Sequence, residues 1–229
     1  MLSLMAKFST LSTEYNISVA IFFWLGIPES TLIEILKAAN FTEIRRPPRT
    51  VEIAPGVKIG VGPPVVQLAS FQSAVAEYNP EKFMLNLRGA ITDVIEAFKT
   101  LPEAFKRHGY SVNSLVRYYE VTFPSQPLDV KNAVNALRKN IKLTKPLKLF
   151  NENLNIFSLS LSNVESPIGA ENFNKWFHIR IDPDVQNTNK RVYIHIIKRE
   201  KEFKKCLTFL EQIEAILQNI KEFLGEISQ

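Results

Sequence analysis

The sequence predicts an α+β protein made of two diverged copies of a β-α-β(about four)-α unit, with antiparallel sheets covered on one face by helices. Three observations predict it. Two β-rich runs that end in proline align at an offset of 96 residues. Each run is followed by the same helical spacing of apolar residues. Each unit closes with an alternating strand and a second helical stripe.

The first run, residues 18–28, reads Ser-Val-Ala-Ile-Phe-Phe-Trp-Leu-Gly-Ile-Pro, and the second, residues 114–124, reads Ser-Leu-Val-Arg-Tyr-Tyr-Glu-Val-Thr-Phe-Pro. Ser18 meets Ser114, Phe22 and Phe23 meet Tyr118 and Tyr119, and Pro28 meets Pro124. Both runs are rich in β-branched and aromatic residues, and proline is expected to stop each strand. Ser30 and Ser125 are the expected caps of the helices that follow. Their stripes are Leu32, Ile35, Leu36 and Ala39, then Val130, Ala133, Val134 and Leu137.

Short strand-like runs fill the middle of each unit, near 49–54, 57–62 and 65–77, then near 141–149, 154–162 and 174–182. Pro55-Gly56 and Gly62-Pro63-Pro64 punctuate the first set as turns. The closing strands alternate through Phe83, Leu85 and Leu87, then Val192, Ile194 and Ile196. The closing helices carry Ile91, Val94, Ile95 and Phe98, then Phe203, Cys206, Leu207 and Leu210. Residues 1–110 are the first repeat and 111–229 the second, either as two units or as one continuous pseudo-twofold domain.

This element order resembles the helix-grip topology of the TATA-binding-protein-like folds, which are often duplicated. The resemblance covers nearly the whole chain and rests on element order, with no sequence motif behind it. It implies a curved sheet with helices on the convex side and an open concave face. It does not by itself imply DNA binding, since one fold hosts many functions.

Composition narrows the function classes. The chain has 229 residues, 45% of them hydrophobic and 22% charged, which suits a globular protein with its own core. Cys206 is the single cysteine, so no internal disulfide can form, and a reducing cytoplasm is the expected location. The longest apolar run, Ile17 to Ile27, is eleven residues, too short to span a membrane. The net charge of +5 permits an anionic partner without requiring one.

Candidate site residues come from strand alternation. His178, Arg180 and Asp182 share one face of their strand, Tyr193 and His195 one face of the next, and Ser158 and Ser160 one face of a third. If these strands pair, the polar sets form one binding surface for an anion, a nucleic acid or a protein, or simply a solvated face. Arg117 and Glu120 place charge on opposite faces of the second long run, whereas the first run is apolar on both. Arg45, Arg46 and Arg49 form a basic connector able to touch phosphates. Lys198, Arg199, Lys201, Lys204 and Lys205 gather where the last helix starts, although cations there oppose the helix dipole.

Other chemistry finds little support. The histidines have no zinc-ligand spacing, so no metal is expected. Gly56, Gly60 and Gly62 surround Lys58 but no Gly-Lys-Ser/Thr follows, which fits a turn better than a phosphate loop. Cys206 lies in an apolar stripe and reads as core, and His108 beside Gly109 reads as a helix end. No catalytic residue and no cofactor is therefore assigned. The leading expectation is a non-catalytic binding protein that uses an exposed sheet face, with a nucleic acid or a protein as partner. A small-molecule site between helices and sheet, with or without chemistry, is the alternative. The last helix repeats apolar residues at three and four from Phe203 to Leu224, which also suits a homodimer seam.

Overall fold

A computed structural model describes residues 15–44, 50–54, 57–60, 65–130, 134–135, 137, 147–149, 152–154, 157–165 and 173–224. Arg45, Arg46, Arg49, Ala133 and the expected strand segment 141–146 lie outside the described residues.

The first long run forms β1 (Asn16–Phe23) and is followed by α1 (Glu29–Ala38). Short β2 (Thr42–Glu43) precedes a separate hairpin of β3 (Thr50–Ala54) and β4 (Val57–Gly60). The meander β5 (Val66–Phe71), β6 (Ala74–Asn79) and β7 (Met84–Ala90) leads into α2 (Ile91–Arg107). The expected run at 65–77 is thus two strands. The chain reverses at Gln72-Ser73, where Gln72 takes a left-handed φ of 52°.

A short helix α3 (Val112–Leu115) opens the second half, and β8 (Val116–Asp129) follows. Helical backbone occurs at 134–135 and 137, with Val134 and Leu137 buried. Then come the hairpin of β9 (Leu147–Leu149) and β10 (Glu152–Leu154), and the strands β11 (Leu159–Ser162), β12 (Phe177–Pro183) and β13 (Arg191–Glu200). Helices α4 (Phe203–Glu211) and α5 (Ile213–Phe223) end the described chain. The long C-terminal stripe is therefore interrupted at Gln212, which caps both helices.

The main strands form one antiparallel sheet of nine, ordered β11-β12-β13-β8-β1-β7-β6-β5-β2. The two long strands pair at its centre, with Val19 opposite Val121 and Phe22 opposite Tyr118. Each closing strand then lies outside its own opening strand, β7 against β1 and β13 against β8. Helices α2 and α4 cover one face. Ile17, Val19, Ile21, Leu85, Leu87, Tyr119, Val121 and Phe123 point into that core beside Val94, Phe98, Phe105 and Leu210. Phe98 joins the halves, stacking on Phe203 at 4.6 Å and meeting the edge of Tyr119 at 5.6 Å.

Three local expectations are corrected. Pro124 does not stop the second strand, because β8 runs on to Asp129 through a register shift opposite Ile194–Ile196. A bulge lets a strand carry proline, since the missing N–H is then not needed by the ladder. Ser125 lies in that strand and caps no helix. In the first half the N-cap is Pro28, so Ser30 sits inside the first turn of α1.

The C-terminal ends of α1 and α2 are closed by the backbone. After α1, Phe41 N–H bonds Leu36 O and Asn40 N–H bonds Lys37 O, with Asn40 at φ 66°. After α2, Tyr110 N–H bonds Phe105 O and Gly109 N–H bonds Lys106 O, with Gly109 at φ 80°. These are paired closures of the Schellman type, and the Phe105 and Tyr110 rings make the accompanying apolar contact at 6.5 Å. His108 is the C-cap of α2, as its neighbour Gly109 suggested.

Gly89 is required for a different reason. A Cβ there would lie 2.7 Å from Ser73 O and 2.8 Å from Ala74 Cα. Those are backbone atoms of the adjacent strand pair, so they cannot rotate away. Gly89→Ala is expected to destabilise by about 2–3 kcal/mol, read from urea denaturation midpoints.

Candidate functional site

The face of the sheet opposite the helices is built by the alternate residues of each strand. On β12 these are His178, Arg180 and Asp182, and the register sets Arg180 opposite His195 and Asp182 opposite Tyr193. On β11, Ser160 is opposite Arg180 and Ser162 opposite His178. The structure thus brings His178, Arg180, Tyr193, His195 and Ser160 onto one surface, and Ser158 is exposed just before β11.

Contacts sort these residues. Ser160 Oγ is 2.7 Å from His178 Nε2, while the buried Nδ1 of His178 has no partner among the described residues. The His178 ring stacks on Trp176 at 5.5 Å, and Trp176 Nε1 donates to Ser162 Oγ at 3.2 Å. Arg180 pairs with Asp182 on its own strand at 2.7 Å. Partial burial, helped by the nearby His178 and Arg180 charges, holds the His195 imidazole below its ordinary pKa.

A second cluster lies beside the first, at the centre of the sheet. Arg199 donates from Nε to Glu120 Oε2 at 2.6 Å, in the register that sets these residues opposite each other on β13 and β8. Its guanidinium lies 4.2 Å from the Phe173 ring centre, 4.9 Å from Trp176 and 5.7 Å from Tyr118. Arg117 lies 5.4 Å from Trp24, 5.8 Å from Tyr118 and 5.7 Å from Phe173. Tyr118 also stacks on Phe22 at 4.4 Å and is the floor of the cluster, only 6% exposed. Burial raises the Tyr118 phenol pKa and Glu120 adds to that, against the two arginines. Trp24, 57% exposed, forms one rim. Trp176 touches both clusters, so they are one continuous surface.

Strand alternation put Arg117 and Glu120 on opposite faces, and the structure corrects this. The register between β1 and β8 shifts between Phe22 and Phe23, passing from Tyr118 to Val116. Arg117 is the extra residue of this bulge, and it turns onto the aromatic face that Glu120 also occupies. Lys198 does not join Arg199. It pairs with Glu200 at 3.6 Å, on the alternate side of β13.

Tyr118, Phe173, Trp176, Trp24 and Glu120 join the site beyond the residues expected there. The alternating Tyr118-x-Glu120 and the basic-aromatic pair Arg117-Tyr118 were available signals. Trp176 shares the parity of His178 and Arg180 in the expected strand at 174–182 and could have been placed with them, whereas Phe173 lies before that strand.

Among the described residues, no group of three or more histidines, cysteines or acids could hold a metal ion. Cys206 is buried in α4 and burial pushes its thiol pKa up, so it is not a thiolate at neutral pH. No described helix is long and apolar enough to cross a membrane. No protein-family model matches the chain, and no curated protein matches it significantly.

What the site can do follows from its groups. A guanidinium over a ring gains cation–π attraction and keeps its N–H edges free in the ring plane. No carboxylate pairs with Arg117 among the described residues, so its charge is available to an anion. An exposed flat ring such as Trp24 beside such a charge offers stacking and phosphate contact together.

Proposed function

We propose that this protein is a non-catalytic binding protein that takes single-stranded nucleic acid on the open face of its sheet. One observation carries the reading: Arg117 stands among Trp24, Tyr118 and Phe173 with no acidic partner among the described residues. Bases would stack on the exposed Trp24 ring and reach the edges of Phe173 and Trp176, and Arg117 would meet the backbone. The formal charge of +5 favours the same kind of partner.

The reading of two copies of one unit has support of its own. Phe22 and Tyr118, matched by the offset of 96 residues, lie directly opposite each other and stack. The β13–β8 register runs further along β8 than the β7–β1 register does on β1.

The test is fluorescence anisotropy of labelled oligo(dT) and oligo(U) of about twelve nucleotides, a length suited to a single site of this kind. Affinity should fall as salt rises from about 50 to 200 mM. Arg117→Ala should weaken binding about tenfold and flatten the salt dependence. No binding at the lower salt, or equal binding by Arg117→Ala, would sink the reading.

A further inference from the structure

On the helix side of the sheet, the end of α2 and the start of α4 border an open groove of about 930 Å3. Its floor is apolar and partly aromatic, made by Phe203, Tyr110 and Val112. Its rim carries three lysines and one acid: Lys106 from the last turn of α2, Lys201 and Lys204 from the entry into α4, and Glu202 between them. None of these three lysines is in an ion pair among the described residues, whereas the adjacent Lys205 is held by Glu202.

The start of α4 is also uncapped. Glu202 occupies the N-cap without accepting a backbone N–H of the helix on its side chain, and the first closing bond is Cys206 N–H to Glu202 O. The N–H groups of Phe203, Lys204 and Lys205 therefore have no intrahelical acceptor. Gathering cations at the positive end of a helix dipole is unfavourable on its own, and a bound anion reverses the sign.

A small void lies behind the wall of the groove. Pro102, Val112 and Phe203 also line a gap of about 10 Å3 on their inner side. Tyr119 borders that gap, and its buried hydroxyl has no partner among the described residues.

We propose that this groove binds a small organic anion with an apolar or aromatic body, such as an aryl or acyl phosphate. The phosphate sits among Lys201, Lys204 and the first turn of α4, and the body lies on Phe203 and Tyr110. The volume is in the range of small-molecule sites. The site does not rest on the open-face reading, from which the sheet separates it.

The experiment is a fluorescence titration of the full chain with 1-naphthyl phosphate, compared with inorganic phosphate as competitor. Saturable binding is expected, about tenfold or more tighter for the aryl phosphate. Lys201→Glu with Lys204→Glu should weaken it at least about tenfold. Lys190→Glu with Lys175→Glu, the same total charge change away from the groove, should leave it unaltered. Circular dichroism checks that each variant is folded, with Lys106→Glu in reserve. No saturation, equal affinity for the two anions, or an equal loss in Lys190→Glu with Lys175→Glu would overturn the proposal.

Discussion

Phe98→Ala is expected to lower the free energy of unfolding by about 3–5 kcal/mol, in a single denaturation transition shared by both halves of the chain. Phe98 is fully buried in α2 and packs on Tyr119 from β8 and Phe203 from α4. It lies where the helix of the first half meets the strand and helix of the second. Removing the ring leaves a cavity lined by large aromatics, which cannot collapse into the space, so the cost falls at the upper end of the range. Chemical denaturation followed by circular dichroism and by tryptophan fluorescence measures it. Trp24 and Trp176 report from β1 and β12 sides of the sheet, so coincident curves mean one cooperative unit. A loss under about 1 kcal/mol would mean that this aromatic junction does not hold the halves together.

Arg199→Ala is expected to cost about 2–3 kcal/mol of stability and about tenfold in oligonucleotide affinity. The Arg199 and Glu120 side chains are only 16% and 21% exposed, so this pair lies between surface and interior cases. Loss of the guanidinium strands a half-desolvated carboxylate and removes the plate between Phe173 and Trp176. Glu120→Gln combined with Arg199→Ala should recover part of the stability, because the stranded charge is gone. It should not recover binding, because the stacked guanidinium is still missing. A double variant as unstable as Arg199→Ala alone would show that the orphaned carboxylate was not the cause.

The parts legible in the sequence were those fixed by one strong period. Ile17, Val19, Ile21 and Phe23 alternate because one face of β1 meets α2, and Ile91, Val94 and Phe98 recur because α2 lies on that face. The polar set His178, Arg180, Tyr193 and His195 was legible for the same reason, as strand parity alone places it. The arginine–aromatic cluster was not. Arg117 reaches its face through a bulge that reverses parity, and Glu120 finds Arg199 through a pairing between residues 79 positions apart. Pro124 misled because a proline tolerated at a bulge looks like one that ends a strand. The break at Gln212 was invisible because the apolar residues keep the same spacing across it.

Photocross-linking of an oligonucleotide carrying 5-iodouracil, mapped by mass spectrometry, tests the open-face account most directly. Stacked bases should leave adducts on Trp24, Phe173 or Trp176, and Arg117→Ala should reduce them. Adducts confined to the helix side, at Tyr110 or Phe203, or labelling no greater than with a double-stranded competitor, would contradict it.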